Sequence, residues 1–178
     1  MPDPTDPPQG AYPLTTNSLS ALATYTTHPS SGLALKSTTS LPASSIFSPI
    51  TTSTPAPIKL YSTVQVSRSA HIELNSALLY LNHSCSPSLE IDTEKMEVRV
   101  VKDRDLNEGD ELSFFYPSTE WAFDRPFECL CGAAQRGGTC LGMVRGAKYL
   151  SREELERGGW FVNKHILGMV RERDAEGP

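Results

Sequence analysis

The sequence predicts a mostly β domain with short helices. Apolar residues come in short groups rich in β-branched and aromatic side chains, polar turns separate these groups, and a capping-box pattern near the end marks a helix start. A chain of 178 residues is also large enough to bury a core as one domain without help from disulfides.

Taken in order, residues 1–13 (MPDPTDPPQGAYP) have turn and extended chemistry with few apolar groups, and read as a flexible Pro-rich arm. Residues 31–50 hold short apolar groups bounded by Gly, Pro and Ser, which predicts two short strands joined by a turn. YSTVQV (61–66), MEVRVV (96–101) and ELSFFY (111–116) each read as a strand. Asn107-Glu108-Gly109-Asp110 is a turn directly before the last of these, with Gly109 able to take a backbone angle that other residues resist. Alternation along ELSFFY puts Leu112, Phe114 and Tyr116 on one face and Ser113 with Phe115 on the other. Ser151-Arg152-Glu153-Glu154 matches the capping box, and a short helix is expected from there to about Arg157. No internal repeat or sustained heptad is present.

Charge divides the chain. Residues 1–58 carry only Asp3, Asp6 and Lys36 as charged groups, together with ten of the fourteen prolines. With a net charge of −5 and 21% charged residues, no nucleic-acid partner is indicated. No apolar run approaches the roughly 20 residues that span a bilayer, and the start lacks the basic and apolar parts of a signal peptide, so no membrane is indicated either. The expected location is intracellular, cytoplasmic or nuclear. All four cysteines, Cys85, Cys129, Cys131 and Cys140, lie in the second half, and a reducing compartment favours metal ligation over disulfides.

Three clusters carry chemistry. Asn82-His83-Ser84-Cys85-Ser86-Pro87 follows the apolar stretch 77–81; alone it also reads as a polar turn. Cys129-Leu130-Cys131-Gly132 precedes Cys140 by eight intervening residues, a pattern that offers three of the four ligands zinc prefers. The fourth would come from Cys85, His28, His71, His83, His165 or a carboxylate, and Cys85 is the remaining thiol; free loop thiols are the other reading. The third cluster is Gly109-Asp110-Glu111-Leu112-Ser113-Phe114-Phe115-Tyr116, which alone reads as an aromatic core strand.

In this order NHSCSP, GDELSFFY and CLCG with a later Cys resemble the C-terminal half of SET-domain methyltransferases with a post-SET zinc motif, of the small stand-alone microbial type. The resemblance covers about residues 31–142. It implies a SET fold, small sheets around a knot-like crossing, over 14–122, a post-SET segment over 123–145 and a helical tail over 146–178. It implies S-adenosylmethionine and zinc as cofactors. By position, Asn82 and His83 correspond to residues that hold the cofactor, Tyr116 to the active-site tyrosine, and Cys85, Cys129, Cys131 and Cys140 to the zinc ligands. Phe127 corresponds to an aromatic that covers the cofactor, with a plain core role as the other reading. Phe114 corresponds to the position that tunes the number of methyl groups added. Tyr61 and His71 are candidate substrate-channel residues, with a structural hydrogen bond as the alternative for each.

Three departures accompany the match. The family's Gly-x-Gly turn, which lets backbone approach the cofactor, is reduced to Gly32 in Ser30-Ser31-Gly32-Leu33, so that Gly32 is the cofactor-binding candidate there; the usual Asn after the proline is Ser88, and the insert between the SET halves is cut to residues 61–70. The implied activity is methylation of a protein lysine or another amine. The alternatives are a SET-fold enzyme that methylates or cyclises a small-molecule substrate, and a non-catalytic binding module.

Overall fold

The structure is a computed structural model and describes residues 11–28 and 32–176. The arm expected over 1–13 lies mostly outside the described residues. At its end, Tyr12 is tied down, receiving the Tyr25 hydroxyl on its carbonyl and donating its own hydroxyl to Asn75 Oδ1 at 3.4 Å.

Along the chain run β1 (Ala23–His28), β2 (Gly32–Ser37), β3 (Ile46–Pro49), β4 (Thr54–Ala56), β5 (Val64–Gln65), β6 (His71–Glu73), β7 (Asn82–His83), β8 (Leu89–Asp92) and β9 (Glu97–Val100). Then come β10 (Ser113–Phe114), β11 (Phe127–Glu128), β12 (Met143–Val144) and two helices, α1 (Arg152–Gly158) and α2 (Lys164–Glu176). These form small sheets: a β1–β2 hairpin, β3–β9–β8, β4–β6–β5, and the pairs β7–β10 and β11–β12. All pairings are antiparallel except β7 with β10, which is parallel. No helix among the described residues is long and apolar enough to cross a membrane.

Strands form where the sequence predicts them, but shorter. YSTVQV yields only Val64–Gln65 and ELSFFY only Ser113–Phe114, while MEVRVV yields Glu97–Val100. The two strands expected within 31–50 are found, although they do not pair with each other. Instead β2 pairs with β1 and β3 pairs with β9. The physical reason lies between them: Leu41 and Leu106 exchange both backbone hydrogen bonds at 2.9 Å, which draws the connecting chain away from a turn. Gly109 has φ +88° and donates its N–H to the Ser37 carbonyl, as its turn requires. Ser151 and Glu154 form the expected capping box at the start of α1.

Two apolar clusters make the core. Leu35, Leu78, Leu89, Ile91, Val98, Leu112 and Phe114 belong to the larger one, and Phe115, Ala147, Leu155, Ile166 and Val170 to the smaller, C-terminal one. Alternation along 112–116 therefore holds as a division between two buried clusters rather than between core and solvent. Phe115 stacks on Trp160, with centroids 3.8 Å apart and planes 9° from parallel, and Trp160 Nε1 donates to the Cys85 carbonyl at 2.8 Å.

Asn163, only 1% exposed, joins the tail to the sheets. Its Oδ1 accepts from both the backbone N–H and the hydroxyl of Thr93 at 2.9 Å, and its Nδ2 donates to the carbonyls of Ile91 at 2.9 Å and Ser118 at 3.0 Å. Truncation would strand several buried polar groups at once. Asn163→Ala should therefore lower the unfolding free energy by about 2–4 kcal/mol in urea denaturation, with little change in slope. A wild-type midpoint would contradict this reading of the tail.

Candidate functional site

The site begins with the parallel pairing of β7 and β10, which sets Ser113 opposite Asn82 and Phe114 opposite His83, and continues as Ser84 N–H donates to the Phe114 carbonyl at 3.0 Å. Such a pairing brings together two segments some thirty residues apart. Ser88, where the family pattern has asparagine, helps hold the register: its hydroxyl donates to the Glu111 carbonyl at 2.8 Å and accepts the Ser113 N–H at 3.1 Å.

His83 links the two chemical clusters. Its Nδ1 accepts the backbone N–H of Tyr116 at 3.2 Å, and its Nε2 lies 3.4 Å from Cys85 Sγ. Accepting at Nδ1 assigns the proton of the neutral ring to Nε2, which then donates to the sulfur. Burial lowers the pKa of His83 to about 4, so the ring is neutral near pH 7. The Tyr116 hydroxyl donates to the Leu81 carbonyl at 3.0 Å, and burial raises its pKa, keeping it a phenol. Around the Tyr116 ring stand Phe114, His83, Phe127 and Phe123, with centroids 4.7, 5.3, 6.0 and 6.1 Å away.

These groups face a cavity of about 680 Å³, within the range of about 300–1,000 Å³ typical of small-molecule sites. Asn82, His83, Tyr116 and Phe127 line it together, and Tyr61 lines it while fully exposed at 101%. Phe114 is buried behind Tyr116, while His71 stands behind the wall, its Nε2 3.7 Å from Glu120 Oε2. Gly32 opens β2 with φ +78° and does not border this cavity; Ser30 and Ser31 lie outside the described residues. Asn82 is buried, and its Nδ2 has no hydrogen-bond partner. A buried donor left unmatched beside a cavity fits a ligand acceptor there.

The sequence reading missed Lys59, Glu120 and Phe123, which also line the cavity. Glu120 had one local signal. It stands four residues after Tyr116, and its N–H bonds to the Tyr116 carbonyl at 3.1 Å, so one helical turn turns both side chains toward the same space. Its Oε1 accepts the Gln65 N–H at 2.7 Å, while Oε2 has no hydrogen-bond partner. Burial raises this carboxyl to about 7, offset in part by the Gln65 N–H and by Lys59.

Beside the cavity the Sγ atoms of Cys85, Cys129, Cys131 and Cys140 all lie within 4.8 Å of one another. Cys85 and Cys129 are 3.7 Å apart, and Cys131 and Cys140 are 4.0 Å apart. A tetrahedron with metal–sulfur bonds of about 2.3 Å has edges of about 3.8 Å, so the four thiols could hold zinc as they stand. These spacings are far beyond a disulfide bond of about 2.05 Å. Backbone N–H groups of Leu141 and Gly142 point at Cys85 and Cys140, at 3.4 and 3.5 Å. Burial raises the Cys85 thiol, and Cys129 to about 12, a cost that a divalent cation would reverse by binding the thiolates. The other fourth-ligand candidates lie elsewhere or in a supporting place. His71 faces Glu120, His165 Nε2 faces the Thr119 carbonyl at 3.2 Å, and His83 backs Cys85; the His28 side chain lies outside the described residues.

The chain is similar to several known proteins. "Methyltransferase flvH" of Aspergillus flavus is 47% identical over 115 residues, covering 65% of this chain and 61% of that protein. "Histone-lysine N-methyltransferase, H3 lysine-36 specific" of Aspergillus oryzae is 31% identical over 102 residues, covering 55% of this chain and 9% of that protein. The chain thus spans about six tenths of the first relative and about a tenth of the second. Among solved structures, KRYPTONITE with mCHH DNA, H3(1–15) peptide and SAH aligns at a TM-score of 0.45 and 19% identity, covering 61% of this chain and 27% of that one. Residues 16–117, more than half of the chain, match the SET domain family, and the chain belongs to it.

Proposed function

We propose that the chain is an S-adenosylmethionine-dependent methyltransferase acting on an amine nitrogen, a lysine or a small-molecule amine, with a structural zinc in the four-cysteine site. The observation that carries this reading is the meeting of Asn82, His83, Tyr116 and Phe127 around one cavity in a SET domain. Membership in the family and the names of the two relatives support it.

In this reading Asn82 Nδ2 donates to the cofactor, and the rings of His83 and Phe127, 5.8 Å apart, provide an apolar wall against it. When bound, S-adenosylmethionine supplies an electrophilic sulfonium methyl group. The Tyr116 hydroxyl spends its proton on Leu81 and keeps its lone pairs, which can hold an amine N–H in line for attack. The surrounding aromatic rings keep water from the reacting nitrogen. Zinc would fix Cys85, and through Cys85 the imidazole of His83 that carries the Tyr116 backbone. The cluster would then hold the catalytic tyrosine in place from behind.

Two outcomes test these roles. Metal analysis should find about one zinc per chain, and Cys131→Ser should lose most of it and leave residues 123–145 open to protease. Wild-type protein with well under half an equivalent, or a Cys131→Ser tail as resistant as before, would contradict the zinc site. Tyr116→Phe should keep the fold, zinc and cofactor affinity while slowing turnover by ~10² or more, the scale of one positioned group. Wild-type turnover in that variant would remove Tyr116 from the chemistry.

A further inference from the structure

Glu120 is a buried carboxyl that the tyrosine mechanism does not use. It is 5% exposed, lines the same cavity as Tyr116 and Asn82, and has a single hydrogen bond to one oxygen, from the Gln65 N–H. Its Oε2 and the His71 Nε2 opposite it, 3.7 Å apart, are both without hydrogen-bond partners. A carboxylate can accept about four hydrogen bonds, and one left nearly bare in a protein interior is costly unless a cation meets it. Lys59 does not meet that need, since its Nζ donates to the Ala122 carbonyl and to Asp124 Oδ1, the latter at 3.2 Å.

The turn that carries Glu120 is also braced more firmly than a surface turn would need. Gln65 clamps it twice, donating its N–H to Glu120 Oε1 and accepting the Trp121 N–H on its side-chain oxygen at 2.9 Å. Ala147 N–H donates to the Glu120 carbonyl at 3.0 Å, and Asn163 holds Ser118 from the tail. Tyr116 and Glu120 are thereby fixed one helical turn apart on the cavity wall.

We propose that Glu120 is the ammonium-binding and proton-accepting group of this site, which makes the substrate a basic amine that enters as its cation. The proposal rests on the methyl-transfer reading above and deepens it. A protonated amine has no lone pair to attack with, so it must lose one proton first. One N–H bond of the ammonium breaks as an O–H bond forms on Glu120, and the nitrogen keeps the electron pair as a neutral amine beside Tyr116. The carboxylic acid returns its proton to solvent before the next turnover. Phe123 and Phe127 on the same wall suit an amine with an apolar body.

The seat should also depend on pH. Burial raises the Glu120 carboxyl to about 7, and the other ionisable groups around it are His71 on β6, His165 on α2, Lys59 and Asp124 on the flanking loops, and Tyr61, His83, Tyr116, Arg125, Glu128 and Cys131 along the cavity wall. Burial lowers the pKa of His71, which favours its neutral ring over the window from pH 6 to pH 8. An alkylammonium, like a lysine at about 10.4, keeps its charge across that window. Affinity for an amine should rise from pH 6 to pH 8, as Glu120 ionises.

The test uses hexylamine and its neutral counterpart 1-hexanol, titrated by NMR into full-length protein with and without saturating S-adenosylhomocysteine. Wild type should prefer the amine by at least tenfold at pH 8, with the preference shrinking at pH 6. Glu120→Gln should abolish the preference while keeping S-adenosylhomocysteine affinity. Since the pH arm needs no variant, a misfolded Glu120→Gln protein would not spare the proposal. An equal preference at both pH values, no preference in wild type, or a full preference in a folded Glu120→Gln protein would overturn it. A chain that selects the amine yet ignores S-adenosylhomocysteine would instead sink the methyl-transfer reading and leave the carboxylate seat standing.

Discussion

The parallel pairing of β7 with β10 is the contact on which the rest of the site depends. It has few backbone hydrogen bonds, so the strand pair cannot be stable by itself. It holds because its flanks are buried on both sides: Leu112 and Phe114 in the larger cluster, Phe115 against Trp160 in the smaller. Burying a side chain the size of Phe115 contributes about 2–3 kcal/mol, and a stacked aromatic pair adds about 0.5–1.5 kcal/mol. Local pairing thus borrows its stability from packing that starts far away in sequence.

From that pairing four consecutive residues take different duties. Asn82 turns its amide to the cavity, His83 ties the Tyr116 backbone to Cys85, Ser84 extends the ladder and accepts the Ser86 N–H at 3.0 Å, and Cys85 joins the thiol cluster. Cavity and thiol cluster are therefore not separate modules. A disturbance at Cys85 reaches Tyr116 through a single imidazole.

Much of this was legible because the informative residues are short-range and chemically distinct. N-H-S-C, the aromatic run to Tyr116 and C-x-C with a later cysteine are each ambiguous alone and become specific in that order, and the thiol count leaves few ways to complete a tetrahedron. The capping box at Ser151 and the turn at Gly109 were legible for the same reason, since each is a local rule. What stayed hidden depends on distant partners. Which strands β2 and β3 pair with was not legible, because it depends on contacts such as Leu41 with Leu106, 65 positions further on. β1, ATYTTH, has little apolar signal of its own, and it forms a strand through its pairing with β2. Asn163 carries no motif at all, and its importance lies in four hydrogen bonds to segments 45 to 72 residues away. Glu120 carries no motif beyond its place four residues after Tyr116, and its burial is what marks it as unusual.

The claim that unites these features is that the cavity beside Tyr116 holds S-adenosylmethionine through the unmatched amide of Asn82. Calorimetric titration of S-adenosylhomocysteine into wild-type and Asn82→Ala protein addresses it without knowledge of the methyl acceptor. A single site per chain is expected in wild type. Its affinity should fall roughly ten- to hundred-fold in Asn82→Ala, the scale of one hydrogen bond to a charged group. No heat and no thermal shift in wild type at millimolar ligand, or equal affinity in the two proteins, would contradict the account.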